Sequence, residues 1–290
     1  MEEIQSVGAF IGLAIGDAMG APLEGLPPRS IAVTEMLGGG IHDTIPGQYT
    51  DDTLQASALA ETLIHCAGFD ADDFAERLIR VYRAHPEFFG PTSGAVLDLI
   101  AGGEKPEVAA ARAHEMRGGS RSNGSVMRGV PLGIFYPPAE VRAASLAASR
   151  VTHFDPAAGE ASAVINRMVS GICRGEDRGI AFAAALDECQ DVELKELLAN
   201  YRDYPLEPSL DAILCTHCAV RVFLEAKTFR EAIIRAVNLG GDADTVGAVT
   251  GGLAGACWGL SSIPESWLAA LQDREELLDR ARRLHAASLR

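Results

Sequence analysis

Leu239-Gly-Gly-Asp-Ala-Asp-Thr245 is the stretch from which the rest of the chain is read. Asp242 and Asp244 stand two residues apart, and the Thr245 hydroxyl follows the second. Gly240 and Gly241 permit a tight backbone path before them. A helical pattern follows at once, from Val246 to Leu260. Asp244 is therefore expected at the helix N-cap, with Asp242 in the loop just outside. Hard oxygen donors converging at a helix start suit Mg²⁺ or Mn²⁺ better than a soft metal. An acidic cap and turn without any metal is the competing reading, because Asp and Thr are ordinary cap residues.

Working outward, a second stretch has the same character. Tyr49-Thr-Asp-Asp-Thr53 also places carboxylates between hydroxyls and also opens a helical pattern, here Thr53 to Ala67. Together the two stretches supply four carboxylates. Four buried carboxylates without a cation would repel one another and raise each other's pKa values. Two divalent ions would neutralise them.

Further motifs lie before and between these two. They are Gly16-Asp-Ala-Met-Gly-Ala-Pro-Leu-Glu24, Ser122-Asn-Gly-Ser-Val-Met-Arg128 and Thr152-His153. With the two acidic stretches, in this order, they resemble the ADP-ribosylglycohydrolase family, which includes the dinitrogenase-reductase-activating glycohydrolase and the ADP-ribosylarginine and ADP-ribosylserine hydrolases. The resemblance runs from about Ile4 to Trp267. It implies hydrolysis of the glycosidic bond between ADP-ribose and an acceptor, either an ADP-ribosylated protein side chain or a small molecule. It implies two Mg²⁺ or Mn²⁺ ions held by Thr50, Asp51, Asp52, Asp242, Asp244 and Thr245. Asp51, Asp52 and Glu24 are the implied catalytic groups, with Glu24 reaching the site from a loop. Ser122, Asn123, Gly124, Ser125 and His153 are implied to hold the ligand, the first four at its diphosphate. The family's nitrogenase-reactivating members carry an acid after the glycine of Phe89-Gly90. This chain has Pro91 there, a departure that argues against carrying that substrate over directly but leaves the metal site untouched. Two other functions remain open on the residues: a two-metal nucleotide phosphohydrolase, and an ADP-ribose-binding relative without catalysis.

The glycine-rich run Gly118 to Gly129 supports a phosphate role on its own chemistry. Small residues free backbone N–H groups for anionic oxygens, and a helix starting near Ser125 adds its N-terminal donors. It is neither a P-loop nor a dinucleotide fingerprint. Arg128 can serve a phosphate or an ion pair on the buried side of its helix. A flexible polar loop is the plain alternative.

Helical periodicity dominates elsewhere, and no stretch alternates long enough to read as a strand. The expected fold is all-α, a single multi-helix bundle around one cleft, because acidic clusters from opposite ends must meet in one domain. Gly8, Gly12, Gly16 and Gly20 recur every fourth residue, as do Gly247, Gly251, Gly255 and Gly259. Each set lies along one helix face. Glycine costs about 1 kcal/mol per helical site against alanine, so close approach of another helix is expected at both faces. The two faces either pack together or each take a different close neighbour.

Composition excludes other classes. The chain has 290 residues, 48% of them hydrophobic, and a net charge of −15 from 25 basic and 40 acidic residues. Such a surface does not suit broad binding to nucleic acid or anionic membrane. The apolar run Val7 to Ala21 is short for a membrane span and contains Asp17. Met1-Glu-Glu3 lacks the basic start of a secretory signal. Six cysteines scattered through apolar patterns suit a reducing cytoplasm. Cys215-Thr-His-Cys218 has no second ligand pair and fits a helix core face better than zinc. The last helical pattern, Arg274 to Leu289, is expected to be a solvated outer face.

Overall fold

A computed structural model describes residues 2–289. Sixteen α-helices and three short 3₁₀ turns account for its regular structure. Among the described residues there is no β-strand, only the isolated bridges Gly39–Thr44 and Ser122–Asp211. The all-α expectation holds.

The fold is built on one pair of antiparallel helices, Glu3–Gly20 and Ala243–Trp258. Their glycine faces pack against each other. Gly8 faces Gly255, Gly12 faces Gly251, Gly16 faces Gly247, and Gly20 meets the backbone of Ala243 and Asp244. A Cβ at Gly12 or Gly251 would be driven into the carbonyl of its opposite number. The glycines thus allow backbone-to-backbone contact over the whole length of the pair. The N-terminal helix and its short extension to Leu23 are long and apolar enough to cross a membrane, yet the apolar window lies wholly inside the protein. Its partner is a helix, which explains the composition.

Antiparallel packing brings the end of the first helix to the start of the second, so Asp17 and Gly20 lie beside Asp242 and Asp244. The helix Asp51–Cys66 docks with its own start at the same place. One continuous core, running from Val7 to Leu284, surrounds these three.

Several boundaries shift from the sequence reading. The acidic helices begin earlier, at Asp51 and Ala243, so Thr50 and Asp242 occupy the N-cap positions and Asp244 falls in the first turn. Neither cap residue makes a side-chain capping bond, because their side chains have other partners. The last helix, Arg274–Ala287, is not simply an outer face. Leu277, Leu278, Ala281, Leu284 and His285 are buried, and it packs on both Glu3–Gly20 and Asp51–Cys66. Its other face carries the charges that gave the solvated pattern.

Candidate active site

The start of the Asp51–Cys66 helix is capped from outside itself. Asp17 is wholly buried and accepts four hydrogen bonds from it: Thr50 N at 2.9 Å, Thr50 Oγ1 at 2.8 Å, Thr53 N at 3.0 Å and Thr53 Oγ1 at 2.6 Å. A carboxylate from another helix thus does the work of an N-cap. It fixes Asp51 and Asp52 in the first turn with their side chains at the cleft. Gln55, one turn on, donates from Nε2 to Asp51 Oδ2 at 2.7 Å.

The second acidic stretch is fixed by its backbone. Gly240 and Gly241 have φ of +74° and +60°, the left-handed region that suits glycine. Gly25 N donates to Gly241 O at 2.7 Å, and Gly241 N donates to Leu26 O at 2.8 Å. This reciprocal pair fastens the loop of Glu24 to the loop of Asp242. Carboxylate oxygens of Glu24, Asp242 and Asp244 consequently lie within 4.8 Å of one another. Asn123 donates a close hydrogen bond from Nδ2 to Asp242 Oδ2, joining the glycine-rich loop to the acids.

Burial and crowding raise the acids' pKa values. Desolvation is the leading cause for Asp51, Asp52 and Asp244, which are pushed well above the carboxylate range, and neighbouring carboxylates add to it. Asp242 is pushed up to about 6 by burial, against hydrogen bonds from Asn123, Asp244 and Thr245 that lower it. Among the described residues, no lysine or arginine forms an ion pair with any of the four. Asp52 Oδ1, Asp244 Oδ1 and Glu24 Oε2 are buried without a hydrogen-bond partner. Glu24 Oε2 does have His42 Nε2 at 3.0 Å, a charge contact without hydrogen-bond geometry. Hard oxygens, excess negative charge and orphaned lone pairs together form a donor set that fits divalent cations.

These acids floor a cleft of about 370 Å³. Phe88 and Pro91 also line it, as does a wall of Ser120, Arg121, Ser122, Asn123 and Gly124 with His153 bonded to Ser122; Thr92 Oγ1, 2.8 Å from Ser120 Oγ, joins the two segments. That wall is secured to a distant segment: Asn123 N donates to Leu210 O, Ala212 N to Arg121 O, and Arg121 pairs with Asp211 and Glu193.

Comparison with known proteins places the chain in a family. A sequence profile described as ADP-ribosylglycohydrolase matches residues 4–290. The chain belongs to the ADP-ribosylglycohydrolase family. Among its relatives, the ADP-ribosylarginine hydrolase Tri1 of Serratia proteamaculans is 32% identical over 96% of this chain and 78% of its own length. The ADP-ribosyl-[dinitrogen reductase] glycohydrolase of Rhodospirillum rubrum is also 32% identical, over 94% of this chain and 92% of its own. A solved structure titled ADP-ribosylglycohydrolase-related protein complex superposes with a TM-score of 0.88 at 37% identity, covering 99% of this chain and 98% of that one.

Within this family member, Glu24, Asp51, Asp52, Asp242, Asp244 and Thr245 all line the one cleft. Thr50 lies just behind, buried, with its hydroxyl donating to Asp17. Ser122, Asn123, Gly124 and His153 reach the cleft, but Ser125 does not. Its hydroxyl turns inward and donates to Ala158 O at 3.2 Å, because the helix that begins here, Gly124–Met127, is a single turn buried on its far side. Arg128 meets neither a phosphate site nor an acid; it is buried among neutral partners. Cys215 and Cys218 are free, buried thiols packed with Val222 and Val246, and burial pushes Cys218 up to about 12. The exposed trio His65, Cys66 and Asp73 has ligand-type side chains, but Arg77 and Thr62 already occupy the carboxylate. Asp17 and Gln55 escaped the sequence reading. An acid in an otherwise apolar helix was the signal for the first, and i, i+4 spacing from Asp51 was the signal for the second.

Proposed function

We propose that the chain is a Mg²⁺- or Mn²⁺-dependent hydrolase that releases ADP-ribose from ADP-ribosylated arginine. The observation that carries the metal part is the set of orphaned oxygens on Asp52, Asp244 and Glu24, in a cluster that has no lysine or arginine partner among the described residues. Asp51, Asp52, Asp242 and Asp244, with the Thr50 and Thr245 hydroxyls, would hold two ions. Bound there, the ions supply charge stabilisation for the ribose oxygens as the bond at C1″ breaks.

The reaction adds water across the C1″–N bond, with hydroxide to C1″ and a proton to the departing guanidine. The chain's own residues bind and orient for this step. In the Ser122–Gly124 segment the Asn123 amide and N–H are spent on Asp242, Ser209 and Leu210, so the Ser122 hydroxyl and the Gly124 N–H are the donors it offers to the diphosphate. Glu24 has His42 beside it, and His42 meets Phe88, which also lines the cleft, edge-on at 5.1 Å. An acid and an aromatic ring in one lining suit a cationic acceptor. The arginine assignment is supported by this pair and by the named activity of the Serratia relative.

The test is a panel of ADP-ribosyl-arginine, ADP-ribosyl-serine, O-acetyl-ADP-ribose and ADP-ribosylated nucleic acid, each with chelator, Mg²⁺ or Mn²⁺. Mass spectrometry of products separates glycosidic from phosphate-ester cleavage. Asp242→Asn and Asp52→Asn should each lower turnover at least about 100-fold while leaving the circular dichroism spectrum unchanged. Release of AMP instead of ADP-ribose would replace this reading with the phosphohydrolase, and activity undiminished in chelator would remove the metal.

A further inference from the structure

Behind the cleft lies a buried cation with no anionic partner. Arg128 is 1% exposed, and its guanidinium rests over the Phe74 ring at 5.1 Å. NH1 donates to Gln55 Oε1 at 2.8 Å. NH2 donates to Thr152 Oγ1 at 2.7 Å and to Ala148 O at 3.3 Å. Burying a guanidinium among neutral groups is costly, so its retention needs a reason.

The reason lies in hydrogen-bond direction. Guanidinium only donates. Gln55 must therefore turn its oxygen to Arg128 and its NH₂ to Asp51, which it reaches at 2.7 Å. Asp51 Oδ2 is thereby held as an acceptor. On the other arm, Thr152 Oγ1 accepts from Arg128, and among the described residues His153 Nδ1, at 2.8 Å, is the one acceptor its own proton reaches. His153 then carries its proton on Nε2 and donates to Ser122 Oγ at 3.1 Å. Ser122 Oγ receives a second contact from Ser120 Oγ at 3.3 Å, leaving its own proton for a ligand in the cleft.

We propose that Arg128 is a positioning residue that sets donor and acceptor direction on both walls of the cleft, through Gln55 to Asp51 and through Thr152 and His153 to Ser122. It touches neither substrate nor cation. The inference rests on the reading that the cleft takes ADP-ribose and divalent ions, but its first readout needs neither. Burial and the nearby guanidinium push the His153 pKa down to about 3, so the imidazole is neutral and its tautomer is defined.

The experiment is a long-range ¹H–¹⁵N spectrum of the full chain labelled in histidine, with the His153 signals identified by their loss in His153→Gln. The expected result is the Nε2–H tautomer in the parent and in Thr152→Ser. Thr152→Val keeps the shape but removes the hydroxyl, and should shift the tautomer and weaken ADP-ribose binding about tenfold by calorimetry. Gln55→Met should weaken Mn²⁺ binding about tenfold, followed by electron paramagnetic resonance without substrate. An Nδ1–H tautomer in the parent would overturn the proposal. So would a Thr152→Val variant with unchanged tautomer and ADP-ribose affinity, or a Gln55→Met variant that binds Mn²⁺ like the parent. A parent that binds no ADP-ribose would instead remove the functional reading and leave the tautomer result standing.

Discussion

At the residue scale, Glu24 shows how a loop acid becomes part of a site. Nothing in Pro22 to Pro28 distinguishes it from a solvated glutamate, and only family resemblance singled it out. The reciprocal Gly25–Gly241 and Gly241–Leu26 bonds bring it to Asp242. Such pairings between loops leave no periodic trace in a sequence, so that contact was not legible. The bonds also make Glu24 less free than its proline- and glycine-flanked loop suggests. If Glu24 acts on the bond rather than holding a cation, Glu24→Gln should lower kcat at least about tenfold and leave ADP-ribose affinity within about twofold. A fall in Mg²⁺ affinity that extra Mg²⁺ rescues would instead assign it as a ligand, and unchanged kcat would exclude it from the mechanism. The Cys215 and Cys218 thiols carry the opposite expectation. Both are buried in a small apolar cluster, and although Cys215 lies against Asn123 and Asp242, neither thiol lines the cleft, so Cys215→Ser and Cys218→Ser should hydrolyse substrate within a few-fold of the parent. Zinc bound by the parent and lost with activity in the double variant would reverse that view.

At the element scale, much was legible. Glycine at every fourth position is destabilising in isolation, so two such runs demanded a close neighbour, and each proved to be the other's. Helix ends were less legible. At Asp51 the capping donors are satisfied by a tertiary partner, Asp17, and at Ala243 no side-chain cap bond forms, so local cap rules placed both ends too late. The glycine seam makes a sharp prediction. Gly251→Ala should gain up to about 1 kcal/mol in helix propensity. Against that, its Cβ meets the Gly12 carbonyl, with Ile233 Cδ1 at 3.3 Å on the far side. Backbone on one side and core on the other leave no escape, so overpacking should win by about 3 kcal/mol. Gly94→Ala is the control. It is also helical, but its Cβ would find only the Tyr82 ring, at 3.4 Å, an ordinary contact. Chemical denaturation should show the first variant destabilised and the second equal to or above the parent. Equal stability of Gly251→Ala and parent would mean that the seam can open at no cost.

At the scale of the whole molecule, two helix starts and one helix end converge so that their acids share one buried space, and the fold's stability should report on that crowding. Asp51, Asp52 and Asp244 are pushed well above their ordinary range and Asp242 to about 6, with desolvation first among the causes. A carboxyl whose folded pKa is raised above its unfolded value favours folding most while protonated. That contribution is fully present below about pH 4 and is lost as pH rises through the folded pKa. For Asp242 the displacement from 3.8 to about 6 corresponds to on the order of 3 kcal/mol. Glu61 and Glu225 shift the other way, lowered by their arginine partners, and their contribution is lost only below the ordinary carboxylate range. Between about pH 6.5 and 8 the raised acids therefore set the slope; from about pH 5 to 6.5 they do so against His153, His217 and His285, whose lowered pKa values act the other way. In chelator, Tm should fall as pH rises from about 6.5 to 8. Saturating Mg²⁺ should reverse the trend, because a cation binds the ionised folded site and stabilises it more at higher pH. The net charge of −15 also opposes folding as pH rises, but NaCl at matched ionic strength screens that surface term and leaves the buried cluster largely unscreened. Asp52→Asn separates the two further: it should flatten the chelator curve and reduce the Mg²⁺ response while barely changing the surface. A metal-free Tm that stays level from about pH 6.5 to 8, or a Mg²⁺ response no larger than that to NaCl, would show that these carboxylates do not share their charge as their geometry implies.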